Sequence, residues 1–335
     1  MAEAITIAAA GREVRLSNPD KPYFAEADPP VSKRELAEYY LEVADAALVH
    51  LRERPTTLKR FVDGAAGDFF FQKRVPKGAP EWLESTTVHF PSGRSARELC
   101  ANDAAHLVWA VNLGVIDFNP WPCRRSAIDE PDELRVDLDP TPEASWDDVR
   151  KVALCAREVL EDHGLTGFPK TSGNRGIHVN VRLRPQWGFD DVRRAALALA
   201  REVERRVPKL ATSKWWKEER HGVFVDYNQN ARDRTVASAY SVRPVPDARV
   251  SCPLVWEEVA HVDPAAFTLR TVPERLREAG DPAAAIDEHP GGLESLLALA
   301  AEDEEKGLGD APWPPHFKKQ KGEPKRVQPS KAKKP

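Results

Sequence analysis

Long apolar runs are missing from this 335-residue chain. No stretch of 18 apolar residues occurs, which excludes an obvious membrane-spanning helix. A basic segment leading into an apolar core is missing from the N-terminus, where Glu3 comes early, so no signal peptide is read and a cytosolic protein is expected. Cysteine is scarce: Cys100, Cys123, Cys155 and Cys252 stand far apart without C-x-x-C spacing. That argues against a zinc site or a disulfide framework and suits a reducing compartment. Net charge is small as well, at −4. From Lys318 onward there are eight Lys/Arg and one acid, so the rest of the chain carries a net −11. Overall charge therefore does not recruit nucleic acid to the folded part, and any phosphate contact must come from local basic patches or from this tail. No Gly-x-x-x-x-Gly-Lys-Ser/Thr loop and no internal repeat occurs.

What is present suits a soluble chain with a real core: 41% hydrophobic residues and a mean hydropathy of −0.53. Its length predicts one large or two fused modules. Strand-like stretches are expected at 57–62, 69–72, 86–90, 177–183, 223–225 and 235–242. Helices are expected after Ser32, Asn102 or Asp103, Ser145, and Asp190 or Asp191, with one more over Leu293–Ala301. Strands interleaved with helices make the class α+β, or mixed α/β. The division expected is a catalytic domain over 1–300 and a flexible tail over 301–335, first acidic at Glu302–Glu305 and then basic.

Three constellations stand out. In Arg135-Val136-Asp137-Leu138-Asp139-Pro140, apolar and polar residues alternate as on a half-buried strand, so Asp137 and Asp139 project to one face. Two carboxylates so close repel each other unless a cation lies between them, and Pro140 is expected to end the ladder at a cleft. Two solvated aspartates before a turn would look the same. In Lys170-Thr171-Ser172-Gly173-Asn174-Arg175-Gly176-Ile177-His178, a glycine-flanked loop can aim backbone N–H groups at an anion, and His178 follows on the polar face of a strand. A plain Gly-rich hairpin is the alternative. In Val225-Asp226-Tyr227-Asn228, an apolar strand delivers a third carboxylate, or merely an Asp-Asn turn. Arg243, at a strand end, could reach a phosphate or pair with a surface acid.

In this order, these motifs resemble the archaeo-eukaryotic primase superfamily. With Ser17-Asn18-Pro19-Asp20-Lys21, Phe70-Phe71-Gln72-Lys73, Phe224-Val225-Asp226-Tyr227, Ser241-Val242-Arg243-Pro244 and Phe267-Thr268-Leu269, the chain is similar to the polymerase domain of bacterial DNA ligase D up to about Arg277. The resemblance implies that Asp137, Asp139 and Asp226 hold two Mn2+ or Mg2+ ions. It implies that Ser172, Gly173, Arg175, His178, Gln229, Arg243 and Asn119 bind a nucleoside triphosphate. Lys21, Lys33, Lys59 and Lys73 would meet DNA phosphates, and Phe70 and Phe71 would stack on the template. By strand alternation, at least one of Phe69, Phe70 and Phe71 should instead be a core residue. Many family members have a histidine where Asn119 stands, which bears on the sugar contact. No Lys-x-Asp-Gly ligation motif occurs, so a stand-alone polymerase is expected; a monomer is expected too. It would add rNTPs or dNTPs at gapped or broken DNA ends in non-homologous end joining, in a bacterial, nucleoid-associated setting. Its partners would be a Ku-like protein and a separate ligase. A non-catalytic DNA-end binder and a metal-dependent nuclease are the rival readings.

Overall fold

Two β-sheets on one continuous apolar core share a cleft between them. The computed structural model describes residues 4–324 and residue 326. The chain opens with hairpin β1 (Ala4–Ala9) and β2 (Arg12–Ser17), then the short pair β3 (Pro22–Phe24) and β4 (Val31–Ser32). Ser32 caps α1 (Lys33–Glu42) through a reciprocal box with Glu35, as its sequence predicts. After a break at Val43 follows α2 (Ala44–Leu51). The first sheet comprises β5 (Pro55–Arg60), β6 (Phe70–Gln72), β7 (Ser85–His89), β8 (Ser95–Cys100) and, beyond α3 (Ala104–Asn112), β9 (Val115–Pro120). Central β5 pairs with β9, β6 and β8.

The second sheet is built from β10 (Glu133–Pro140), β11 (Gly167–Thr171), β12 (Ile177–Arg182), β13 (Ala211–Thr212) and β14 (Val223–Val225), in the order β11-β12-β10-β14-β13. Between these strands run α4 (Trp146–Asp162), capped by Ser145, and α5 (Phe189–Arg206). Gly188, not Asp190 or Asp191, caps α5; the two acids sit in its first turn, where the helix dipole favours them. Among the described residues three more α-helices follow: α6 (Trp256–Val259), α7 (Val272–Ala279) and α8 (Glu294–Glu305). Among the described residues no helix is long and apolar enough to cross a membrane.

Several expectations need correcting. Pro140 is not among them: it is the last residue of β10, paired with Val223, so the ladder stops just after the two acids as expected. Strand β11 replaces the start of an expected turn; as an edge strand it tolerates Pro169. Residues 235–242 form no strand. Tyr240 takes a left-handed φ of 63°, which bends the chain there.

Residues 301–324 also depart from a free tail. Glu302–Glu305 continue α8, and Asp303 is buried against Arg205 at 2.9 Å. Trp313 is buried over Arg193, whose guanidinium lies 3.9 Å from the ring centre and bonds Asp310 and the Ala311 carbonyl. The acids and the tryptophan fold back because α5 presents arginines to them, Arg205 to Asp303 and the buried Arg193 to Trp313. The last basic residues of the tail, 327–335, lie outside the described residues. Trp313→Ala is expected to cost about 3 kcal/mol of stability in urea unfolding, as for other buried aromatics. An unchanged midpoint would show that this segment does not dock.

Candidate active site

The end of β10 gathers three acids. Asp137 pairs in register with His178 of β12, and Leu138 and Asp139 pair with Val225 and Phe224 of β14. The Asp226 N–H donates to the Asp137 carbonyl at 2.9 Å, which brings the third carboxylate beside the first. Ligand oxygens of Asp137, Asp139 and Asp226 all lie within 4.8 Å of one another. The Asn228 N–H donates to Asp226 Oδ1 at 2.9 Å and Gln229 Nε2 to Asp226 Oδ2 at 3.3 Å. Asp137 Oδ1 is buried with no aligned hydrogen-bond donor, although His178 Nε2 faces it at 3.2 Å.

Charge at this cluster is unbalanced. For Asp137, burial works against ionisation, but His178, Lys170 and Arg243 together hold its carboxyl below the usual range. Asp139 opens onto the cleft; Asp137 beside it, then its crowded surroundings and Asp226, push its carboxyl up to about 8. Cleft water screens part of that repulsion. Burial first, then Asp137, pushes Asp226 up to about 7. Three oxygen donors, one of them orphaned, with charges that cannot coexist unaided, fit a hard divalent cation such as Mn2+ or Mg2+.

Beside the acids lies a cavity of about 650 Å³. The second sheet and its loop contribute Asp137, Asp139, Ser172 and Asn174 to Gly176; the first contributes Lys59, Phe71, Asp117 and Asn119. The loop is held by Ser172 Oγ, which accepts from the Asn174 and Gly176 N–H groups at 3.2 and 3.0 Å. Its glycines are required by close approach: a Cβ at Gly173, where φ is 69°, would lie 2.4 Å from Arg243 Cγ, and one at Gly176 would lie 2.4 Å from the Leu138 carbonyl oxygen. Arg175 is exposed and reaches the Thr141 carbonyl at 3.3 Å. Asn119 Nδ2 donates to Asp117 Oδ1 at 2.9 Å, and Arg243 Nε stands 3.8 Å from Asp117 Oδ2. Ser172, Arg175, His178, Gln229, Arg243 and Asn119 thus all line one cavity with Asp137 and Asp139. His178 is buried, not solvent-facing, because both faces of β12 are covered.

The aromatic and basic residues are distributed less evenly. Phe69, Phe70 and Phe71 are all about half exposed, at 50%, 47% and 55%. None is a core residue, since β6 is a three-residue strand at the sheet edge. Lys59 lies 4.2 Å over Phe69, and Lys73 lies 4.2 Å over Phe90. Lys21 is part-exposed and bonds the Val62 carbonyl at 2.8 Å and Asp63 at 3.2 Å. Lys33 departs from its expected phosphate contact: its ammonium is turned inward onto the Ser17 and Asn112 carbonyls, both at 2.9 Å. Burial, with Lys21 and Arg60, lowers its amine to about 8.

Sequence reading did not single out Lys170, Asp117 or Arg220 as site residues. Lys170 is buried behind His178, and Arg220 bears on both Asp139 and Asp226. Of these only Lys170 carried a signal, adjoining the Thr-Ser-Gly loop.

A carboxylate triad beside a tight glycine-flanked loop, on an α+β frame of two sheets, is the kind of site that defines the nucleotidyltransferase class. Residues 32–283 match the family model described as the LigD primase-polymerase domain, and the chain belongs to that family. The multifunctional non-homologous end joining protein LigD of Pseudomonas aeruginosa is 35% identical over 82% of this chain and 32% of its own length. The bifunctional LigD of Bacillus subtilis is 32% identical over 75% of this chain and 41% of its own. The chain thus spans about a third to two fifths of these relatives. A solved polymerase domain from Mycobacterium tuberculosis ligase D, in complex with DNA, superposes with a TM-score of 0.77 at 30% identity. It covers 83% of this chain and 99% of its own. The fold is that of the archaeo-eukaryotic primase-like enzymes.

A raised carboxyl binds its proton more tightly in the folded state than in the unfolded chain. In metal-free protein the resulting stability is complete below the unfolded value of 3.8 and is lost as pH rises through about 7 to 8. Chelator-treated protein is therefore expected to weaken across that range in urea unfolding, and added Mn2+ or Mg2+ to restore it at pH 8. Asp139→Asn should flatten both responses.

Proposed function

We propose that this protein extends a DNA primer 3′-hydroxyl with rNTPs or dNTPs under the direction of a template, filling gaps or processing broken ends during end joining. The observation that carries this reading is the convergence of Asp137, Asp139 and Asp226 at the rim of a cavity that also holds Ser172, His178 and Arg243. Asp137, Asp139 and Asp226 hold two divalent ions, Mn2+ or Mg2+. When bound, the ions supply a lowered pKa for the attacking hydroxyl and charge neutralisation for the departing pyrophosphate.

The protein's own residues do the positioning. Ser172 and the 172–176 loop bind phosphate oxygens, with Arg175, Arg243 and His178 adding donors. Asn119 and Gln229 orient the nucleotide from opposite walls. Phosphoryl transfer is mostly positioning and charge stabilisation, so no side-chain nucleophile is needed. Phe70 and Phe71 offer a stacking platform to template bases, and Lys21, Lys59 and Lys73 counter backbone charge. The chain works as a monomer at the bacterial nucleoid, with a Ku-like end binder and a separate ligase as partners.

Primer extension on a gapped, 5′-phosphorylated duplex tests the reading. Combining Asp137→Ala with Asp139→Ala is expected to lower extension by about a thousandfold or more, since several kcal/mol of transition-state stabilisation vanish. Retained extension would refute it. Shortening of a labelled primer would mark a nuclease, and metal-independent end binding without incorporation would mark a recruiting factor. Phe70→Ala with Phe71→Ala should weaken template binding by about 1–3 kcal/mol per lost stack while leaving thermal stability unchanged, measured by fluorescence anisotropy.

A further inference from the structure

Behind His178 sits a lysine that the reading above does not use. Lys170 of β11 is 2% exposed and pairs in register with His178 of β12. Its Nζ has three close neighbours: Ser251 Oγ at 2.7 Å, the Ala237 carbonyl at 3.0 Å and His178 Nδ1 at 2.8 Å. The Ser251 hydroxyl spends its hydrogen on the Thr171 carbonyl at 2.7 Å, so towards Lys170 it can only accept. A carbonyl accepts only. Burial first, then Arg243, lowers the Lys170 amine to about 7, so below that pH it is an ammonium with three N–H groups, two of them committed to these acceptors. The third points at His178 Nδ1, which must then offer a lone pair. A hydrogen on Nδ1 would meet an N–H head-on at 2.8 Å.

We infer that Lys170 is a positioning residue that locks His178 in the Nε2–H tautomer, aiming the ring's donor at the cavity. This rests on the proposed nucleotide-binding role of His178. The ring's Nε2 faces Asp137 Oδ1 at 3.2 Å and lines the cavity with Ser172 and Arg243. With hydrogen on Nε2, His178 presents a donor to a triphosphate oxygen and a favourable edge to Asp137. With hydrogen on Nδ1, the Nε2 lone pair would repel both. A second-layer hydrogen bond that fixes a histidine tautomer is a familiar way of setting which ring nitrogen acts. The lysine's inward direction is enforced, since its register partner is His178 and Thr171, next in the strand, is clamped by Ser251 and Cys252.

The direct test is 15N-labelled histidine NMR of the full protein at pH 6, with His178→Gln assigning the resonance. The Nε2–H pattern is expected, and an Nδ1–H pattern overturns the proposal whether or not the protein polymerises. Kinetics add a second readout. Lys170→Met is expected to raise KM for the nucleotide about tenfold, with kcat at saturation falling less. In a His178→Gln background the same change should leave KM as it is. Loss of folded enzyme would lower kcat alone, and an unaltered KM in folded Lys170→Met overturns the proposal. Failure of the wild type to bind any nucleotide would sink the polymerase reading instead, with the NMR result still deciding the tautomer.

Discussion

Repulsion among three carboxylates dominates this molecule. Asp137, Asp139 and Asp226 stand within 4.8 Å of one another at a partly buried strand end, where their full ionisation is unfavourable without a cation. Such a cluster persists only if the backbone beneath it cannot relax. At the far end of β10, Glu133 is bonded by Arg135 and Arg182, and Arg54 grips Asp132 through two bonds of 2.6 and 2.8 Å. Asn230 clasps the middle of the strand, accepting from the Arg135 N–H and donating to its carbonyl, both at 2.8 Å. Removing one partner of these buried pairs would leave an uncompensated charge, so the network resists local opening.

The cleft follows from that anchoring. One wall is strongly acidic, the neighbouring loop adds Ser172 and the exposed Arg175, and the opposite sheet offers Lys59 and the exposed Phe71. Outside its last 18 residues the chain is net acidic, so long-range attraction does not bring a polyanion here. On the proposed reading, recognition would rest on short-range placement: cations at specific points, exposed rings able to stack on any base, and an acid cluster that a bound cation would make receptive to phosphate.

Much of the site was legible from local chemistry. Period-two alternation put Asp137 and Asp139 on one face, Ser32, Asp103 and Ser145 announced helix starts, and Gly173 and Gly176 marked a tight loop. What escaped depended on neighbours distant in sequence. Alternation makes at least one of Phe69, Phe70 and Phe71 a core residue, yet all three stay about half exposed at or beside an edge strand. Lys33 looks like a surface cation, yet α3 and β2 set carbonyls around it. Trp313 and Asp303 look like parts of a free tail, yet arginines on α5 receive them.

By itself the sequence determined the kinds of group available, their spacing within a strand or loop, and the family to which their order belongs, because those depend on covalent neighbours and short-range periodicity. Only the tertiary structure decided that Asp226 meets Asp137 and Asp139, that His178 is buried with Lys170 behind it, and which aromatic rings face water. The acids and His178 meet through pairings between strands about 40 to 90 residues apart, and burial is a property of what packs against a residue rather than of the residue itself.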